Sequence, residues 1–132
     1  MDGYGGSILR VDLTDGTITR TDTDEDLARH FLGGRGMNVK RLFDEVDDNT
    51  EGLSPDNRLI LGVGPFVGTT VPGGSRFNVT GVSPQTGILG DSNAGGFFGC
   101  GRKYAGIDQL IIQGRAGRPV YLSIRDETVT LR

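Results

Sequence analysis

Two stretches of this 132-residue sequence combine residue types that can hold an anion. The first runs from Gly90 to Asp108, GDSNAGGFFGCGRKYAGID, and reads as a glycine-dense polar loop opening into a short amphipathic helix. Asp91, Ser92 and Asn93 are small hydrogen-bonding residues of the kind that cap a helix. Gly95 and Gly96 leave their amides uncovered, so an anionic group could approach the main chain closely and face the positive end of the helix dipole. That is the chemistry of a phosphate seat. Phe97, Phe98 and Tyr104 supply an apolar side expected to anchor the helix. A tight turn closed by an Asx or Ser cap is the plainer use of the same residues.

The second stretch, Val71 to Val82 (VPGGSRFNVTGV), sets Arg76 between a glycine-rich loop and a strand-like run with Phe77, Val79 and Val82. A guanidinium at a loop-to-strand junction binds phosphate through two parallel N–H donors, which a lysine cannot do. A surface arginine fits the same position.

The chain is long enough for one domain or part of one, and too short for a large redox enzyme. A net charge of −3 argues against nucleic acid as the main partner. No apolar run reaches membrane-spanning length and the N-terminus lacks a signal pattern, so the expected setting is cytoplasmic, without membrane contact. Cys100 is the one cysteine. It permits no internal disulfide, cannot supply the four thiolates of an iron–sulfur cluster, and reads as a small buried apolar residue. His30, the one histidine, fits a surface helix better than a metal site.

The elements that must position these residues follow in order. Gly6 to Thr21 reads as a β-hairpin turning at Asp15-Gly16. Thr23 is expected to cap a helix with Asp24, Glu25 and Asp26 in its first turn, Leu27, Ala28, Phe31 and Leu32 on its apolar face, and Gly33 as its stop. Gly33 to Gly36 bends into a second helix, Met37 to Val46, and Arg35 could face a phosphate there but reads better as bracing the bend. Asp44 to Pro55 is an acidic, solvated connection, and Arg58 to Gly64 a buried strand. Gly62, Gly64 and Gly68 do not match a dinucleotide-binding fingerprint, because Pro65 interrupts them and no helix start follows. Gln109 to Gln113, Pro119 to Arg125 and Thr128 to Leu131 read as strands. The sequence stops inside strand pattern, which suggests a domain incomplete at its C-terminus, with open sheet edges and a tendency to form homo-oligomers.

Several motifs in register make the chain recognisable: GGSILRVDLTDGTI from Gly5, FLGGRG at Phe31 to Gly36, GP and GT between Gly64 and Thr69, PGGSRFNV at Pro72 to Val79, SPQTG at Ser83 to Gly87, and GDSNAGGFFG at Gly90 to Gly99. Together they resemble the N-terminal domain of the tungsten-containing aldehyde ferredoxin oxidoreductases, over nearly the whole of residues 1–132.

The resemblance implies an α+β domain of mixed, largely antiparallel sheets with a few short helices, forming a saddle under a tungsten (or molybdenum) bis-molybdopterin cofactor. It implies that Arg76 contacts a pterin phosphate, that Asn93 binds pterin and helps hold a Mg2+ ion between the phosphates, and that Ala94 and Gly95 contact the cofactor through backbone groups. No catalytic residue is implied here. The parent enzyme would oxidise aldehydes to carboxylic acids, passing electrons through a 4Fe-4S cluster, not ligated by this chain, to ferredoxin. Its other domains would be this chain's first partners, and the chain alone would be inactive.

The pattern departs from the family at Cys100 to Arg102, where a proline, an acidic residue and a leucine are usual, and at Ile107, where tyrosine is common. The alternative expectation is a non-catalytic accessory or truncated module that keeps the fold and binds a phosphate ligand or a partner subunit.

Overall fold

The computed structural model describes residues 1–132. Its frame is a six-stranded sheet. The strands are β1 (Ser7–Asp12), β2 (Ile18–Asp22), β3 (Leu59–Val63), β4 (Phe77–Val82), β5 (Leu89–Ala94) and β6 (Ile107–Gln113), and their spatial order is β2-β1-β6-β3-β4-β5. Only the β1–β6 pairing is parallel, so the fold is α+β and largely antiparallel, as the resemblance implies.

Local sequence accounts for the outer hairpin. Asp12 to Thr17 closes β1 onto β2, with Gly16 at φ +77, a conformation that glycine adopts without strain. The alternating residues of the central strands then face two different covers. On one face Ile8, Ile60 and Ile111 pack with Leu42 of helix α2 (Arg35–Glu45). On the other, Leu9, Val11 and Leu110 receive Leu122, Ile124, Val129 and Leu131 of a separate hairpin, β7 (Leu122–Arg125) with β8 (Thr128–Leu131). Strand β6 is covered on both sides, and Ile107 to Ile111 are buried without interruption. No helix is long and apolar enough to cross a membrane.

Several expected details differ. Asp24, not Thr23, caps helix α1 (Glu25–Phe31): its carboxylate accepts from the Leu27 amide at 3.0 Å. Thr23 is buried instead and donates its hydroxyl to Asp108 at 2.7 Å. Of the apolar face expected for α1 only Ala28 is buried, and the helix ends at Leu32, which takes φ +61 before Gly33. Arg35 opens α2 rather than sitting in the bend. His30 lies exposed on α1, with its ring Nδ1 2.7 Å from the Asp26 carbonyl.

The largest difference lies at the glycine-dense stretch. Leu89–Ala94 is not a loop but the edge strand β5, so Asp91, Ser92 and Asn93 cap nothing. The helix that follows, α3 (Phe97–Tyr104), starts at Gly96 without a side-chain cap. Its buried residues are Gly99, Arg102 and Lys103, whereas Phe97, Phe98 and Tyr104 are exposed. The helix therefore turns its polar residues inward, and Cys100 is only half-buried. Of the three aromatics only Phe98 reaches the sheet, its ring centroid 5.0 Å from that of Phe77 on β4, whereas Phe97 is 93% exposed and Tyr104 74% exposed.

Candidate functional site

The β4–β5 register brings the expected site residues to one end of the sheet edge. Asn78 pairs with Asn93 and Phe77 with Ala94, so Arg76, one residue before Phe77, and Gly95, one residue after Ala94, flank the same rung. Strand β5 has no further neighbour and is exposed along most of its length. Arg76 is exposed and makes no ion pair or side-chain hydrogen bond. A Cβ built on Gly95 would meet nothing within 4 Å. Gly96 sits at φ +97 and ψ −167, where a side chain is strained, and leaves the first amides of α3 uncapped.

This arrangement can receive an anion: a free guanidinium, open main chain and an uncapped helix start share one end of an edge strand. It also suits a magnesium ion held between phosphates, since that ion takes oxygen ligands and leans on phosphates and water more than on a protein cage. No group of three or more His, Cys, Asp or Glu side chains that could hold a metal ion converges in the chain.

Behind the edge lies a polar network that motif reading missed. Asn38 on α2, fully buried, donates to the Asn78 side-chain oxygen at 2.9 Å and to the Ile60 carbonyl at 3.2 Å, and accepts from Gln109 at 3.0 Å. Thr80 donates to the same Asn78 oxygen at 2.6 Å. Asn78 in turn donates to Asp91 at 2.8 Å, and Asp91 also pairs with Arg35. The signal in the sequence was the alternation Asn78, Thr80 on β4, which ordinarily marks a solvent face. Here α2 covers that face, and Asn38, Asn78 and Thr80 satisfy one another, while Oε1 of Gln109 is left without a partner.

A second buried cluster fixes α3 and the start of β1. Asp108 accepts from the amides of Gly5 at 2.7 Å and Gly6 at 2.8 Å and from Thr23, and pairs with Lys103 at 3.2 Å. Lys103 also donates to the Gly64 carbonyl at 3.1 Å. Arg102 is 5% exposed and donates to the Leu61 carbonyl at 2.5 Å, while its Nε and Nη2 have no hydrogen-bond partner. Burial pushes its guanidinium down to about 10, against the opposing charge of Asp108.

Comparison with known proteins puts this geometry in context. Residues 8–132 match the family model described as aldehyde ferredoxin oxidoreductase, N-terminal domain. The chain belongs to the aldehyde ferredoxin oxidoreductase family. Within this family it is 47% identical to the tungsten-containing aldehyde ferredoxin oxidoreductase of Pyrococcus abyssi, over all of this chain and 22% of that protein. It is 33% identical to the aliphatic sulfonate oxidoreductase, WOR-like subunit, of Pyrococcus furiosus, over all of this chain and 21% of that protein. Among solved structures it superposes on the active-site complex BamBC of benzoyl-coenzyme A reductase in complex with 1,5-dienoyl-CoA. That match has a TM-score of 0.97 and 41% identity, over 99% of this chain and 20% of that one. The chain thus spans about a fifth of the length of each of these proteins.

Proposed function

We propose that this domain seats the phosphates of a tungsten (or molybdenum) bis-molybdopterin cofactor, with Arg76, Asn93, Ala94 and Gly95 as its contacts and Asn93 as a ligand of an intervening Mg2+. The observation that carries the reading is the register of β4 and β5, which sets these four residues side by side at an exposed sheet edge. Arg76 there is unpaired and Gly95 has open space above it. Arg76 would fork onto a phosphate, and the backbone at Ala94 and Gly95 would lie against the cofactor where any larger side chain would intrude.

The protein this domain serves would oxidise an aldehyde and water to a carboxylic acid, releasing two protons and two electrons. The bound cofactor would supply that redox chemistry, and the electrons would pass through a 4Fe-4S cluster to ferredoxin in the cytoplasm. With Cys100 as its one thiol, this chain cannot by itself supply the four thiolates of the cluster, and the remaining parts of the enzyme would provide them as its partners. The names of the relatives include sulfonate and benzoyl-coenzyme A chemistry beside aldehydes, which supports a role here in holding the cofactor rather than in choosing the substrate.

The test is tungsten, molybdenum, magnesium and phosphate analysis of the purified full gene product beside Gly95→Val. The wild type should carry metal and pterin phosphate, and the valine variant should lose both while keeping its fold by circular dichroism, with no rescue by added magnesium. Full cofactor in Gly95→Val would reduce the segment to a glycine-rich turn.

A further inference from the structure

We infer that Phe98 is a positioning residue for the anion seat: its ring, packed on Phe77, holds the Gly95–Gly96 joint in a fixed place relative to Arg76. This rests on the cofactor seat proposed above and concerns a residue that seat does not include.

The two halves of the seat come from different segments. Arg76 is delivered by the loop that runs from Gly64 to Ser75, whereas Gly95 and Gly96 join β5 to α3. The β4–β5 ladder ties the halves on one side, since Phe77, next to Arg76, pairs with Ala94. At Ala94 the ladder ends and two successive glycines follow, with open space at both Cβ positions and Gly96 at φ +97. Glycine has the widest backbone freedom of any residue, so strand register alone does not fix where these amides stand.

The ring contact supplies the second tie. Phe98, in the first turn of α3, has its centroid 5.0 Å from that of Phe77, with the planes tilted by 57°. That geometry lies within the range of attractive aromatic pairs. The glycine joint is thus held at both ends against the residue that follows Arg76. Gly99 lets the helix come this near: a Cβ there would stand 3.3 Å from the Ser75 carbonyl oxygen and 3.4 Å from Phe77 Cβ. The far end of α3 grips the same loop, where Lys103 donates to the Gly64 carbonyl at 3.1 Å and Tyr104 to the Gly68 carbonyl at 3.0 Å. Helix α3 therefore meets the loop that carries Arg76 at Gly64, Gly68 and Ser75, and Phe98 sits where that brace reaches the glycine joint. Phe98 is 55% exposed, so its replacement removes the ring contact without opening the core.

The experiment measures the first-order rate at which the loaded full gene product releases tungsten or molybdenum and phosphate, at a fixed temperature below its thermal midpoint. The variants are Phe98→Leu, Phe98→Tyr, Arg76→Lys and the double variant Phe98→Leu with Arg76→Lys, with the thermal midpoint recorded for each. Phe98→Leu should speed release by about two- to tenfold, the worth of one aromatic pair, and Phe98→Tyr, which keeps the ring, should match wild type. In the Arg76→Lys background Phe98→Leu should add little, because both act on one contact. A merely structural Phe98 would lower the thermal midpoint and its effect would add in full to that of Arg76→Lys, which overturns the positioning role. Unchanged release from Phe98→Leu beside faster release from Arg76→Lys overturns that role alone. Unchanged release from Arg76→Lys overturns the cofactor seat and this inference with it. If Phe98→Leu does not fold, Gly99→Ala, which holds the helix off β4, is scored by the same criteria.

Discussion

The side-chain amide of Asn38 lies directly over Gly62: a Cβ added to Gly62 would stand 2.8 Å from the Asn38 carboxamide carbon and 2.9 Å from its nitrogen. Gly62 is therefore a passage. It lets a residue of α2 cross β3 and reach Asn78 on β4 and Gln109 on β6. Gly62→Ala should displace the amide and leave several buried polar groups short of partners, at a cost of about 1–3 kcal/mol. Urea unfolding should show the loss, and Asn38→Ala in the same background should add little. Full additivity of the two would disprove the coupling.

Arg76→Lys keeps the charge but loses the forked contact. Its free side chain means the substitution breaks no internal bond, so the thermal midpoint should stay put. Cofactor retention should weaken by about 1.5–3 kcal/mol, the range for hydrogen bonds to charged groups. Unchanged tungsten and phosphate content would remove Arg76 from the seat.

Asp108→Ala should be the most destabilising single change among the polar residues. It strips the Gly5 and Gly6 amides and the Thr23 hydroxyl of their acceptor and leaves Lys103 buried without its partner. Removing one member of a buried pair costs about 3–5 kcal/mol. Hydrogen exchange should then show early opening at the Gly5 and Gly6 amides. Protection equal to wild type there would refute the clamp.

Glu45 should govern part of the acid limb of stability. Burial alone would raise its carboxyl, but Arg10, bonded at 2.6 Å, with Arg41 and Arg58, outweighs burial and holds it below its ordinary value of 4.5. A lowered folded-state value contributes stability that is full above the unfolded value and is lost as pH falls through the folded one. Glu45→Gln should thus be less stable than wild type at neutral pH, with the gap closing as pH drops below 4.5. A gap that stays constant with pH would show that these arginines do not set the titration.

Much of the frame was written locally. Asp15-Gly16 between two strand patterns makes the β1–β2 hairpin, the apolar run Leu59 to Val63 makes a buried strand, and the spacing of Val39, Leu42 and Val46 makes the helix that covers it. These signals depend on neighbours within one turn or one strand, so the sequence states them without help from the fold. The residues of the candidate seat were likewise legible, as separate motifs around Arg76 and Asn93.

Tertiary structure alone decided what those residues stand on. Asp91, Ser92 and Asn93 have the composition of a loop or cap, yet pairing with Thr80, Val79 and Asn78 in turn draws them into a strand, because backbone hydrogen bonds to β4 outweigh local turn preference. The face of α3 followed the same logic. Lys103 and Arg102 turn inward because Asp108 and the Leu61 carbonyl offer them partners there, which leaves Phe97 and Tyr104 outside. Asn38 and Asn78, 40 residues apart, look like surface polar residues until α2 folds over Gly62 and joins them. Spacing reports which residues share a face. Whether a polar face meets water or a second polar face depends on contacts between distant segments, and only the folded chain settles it.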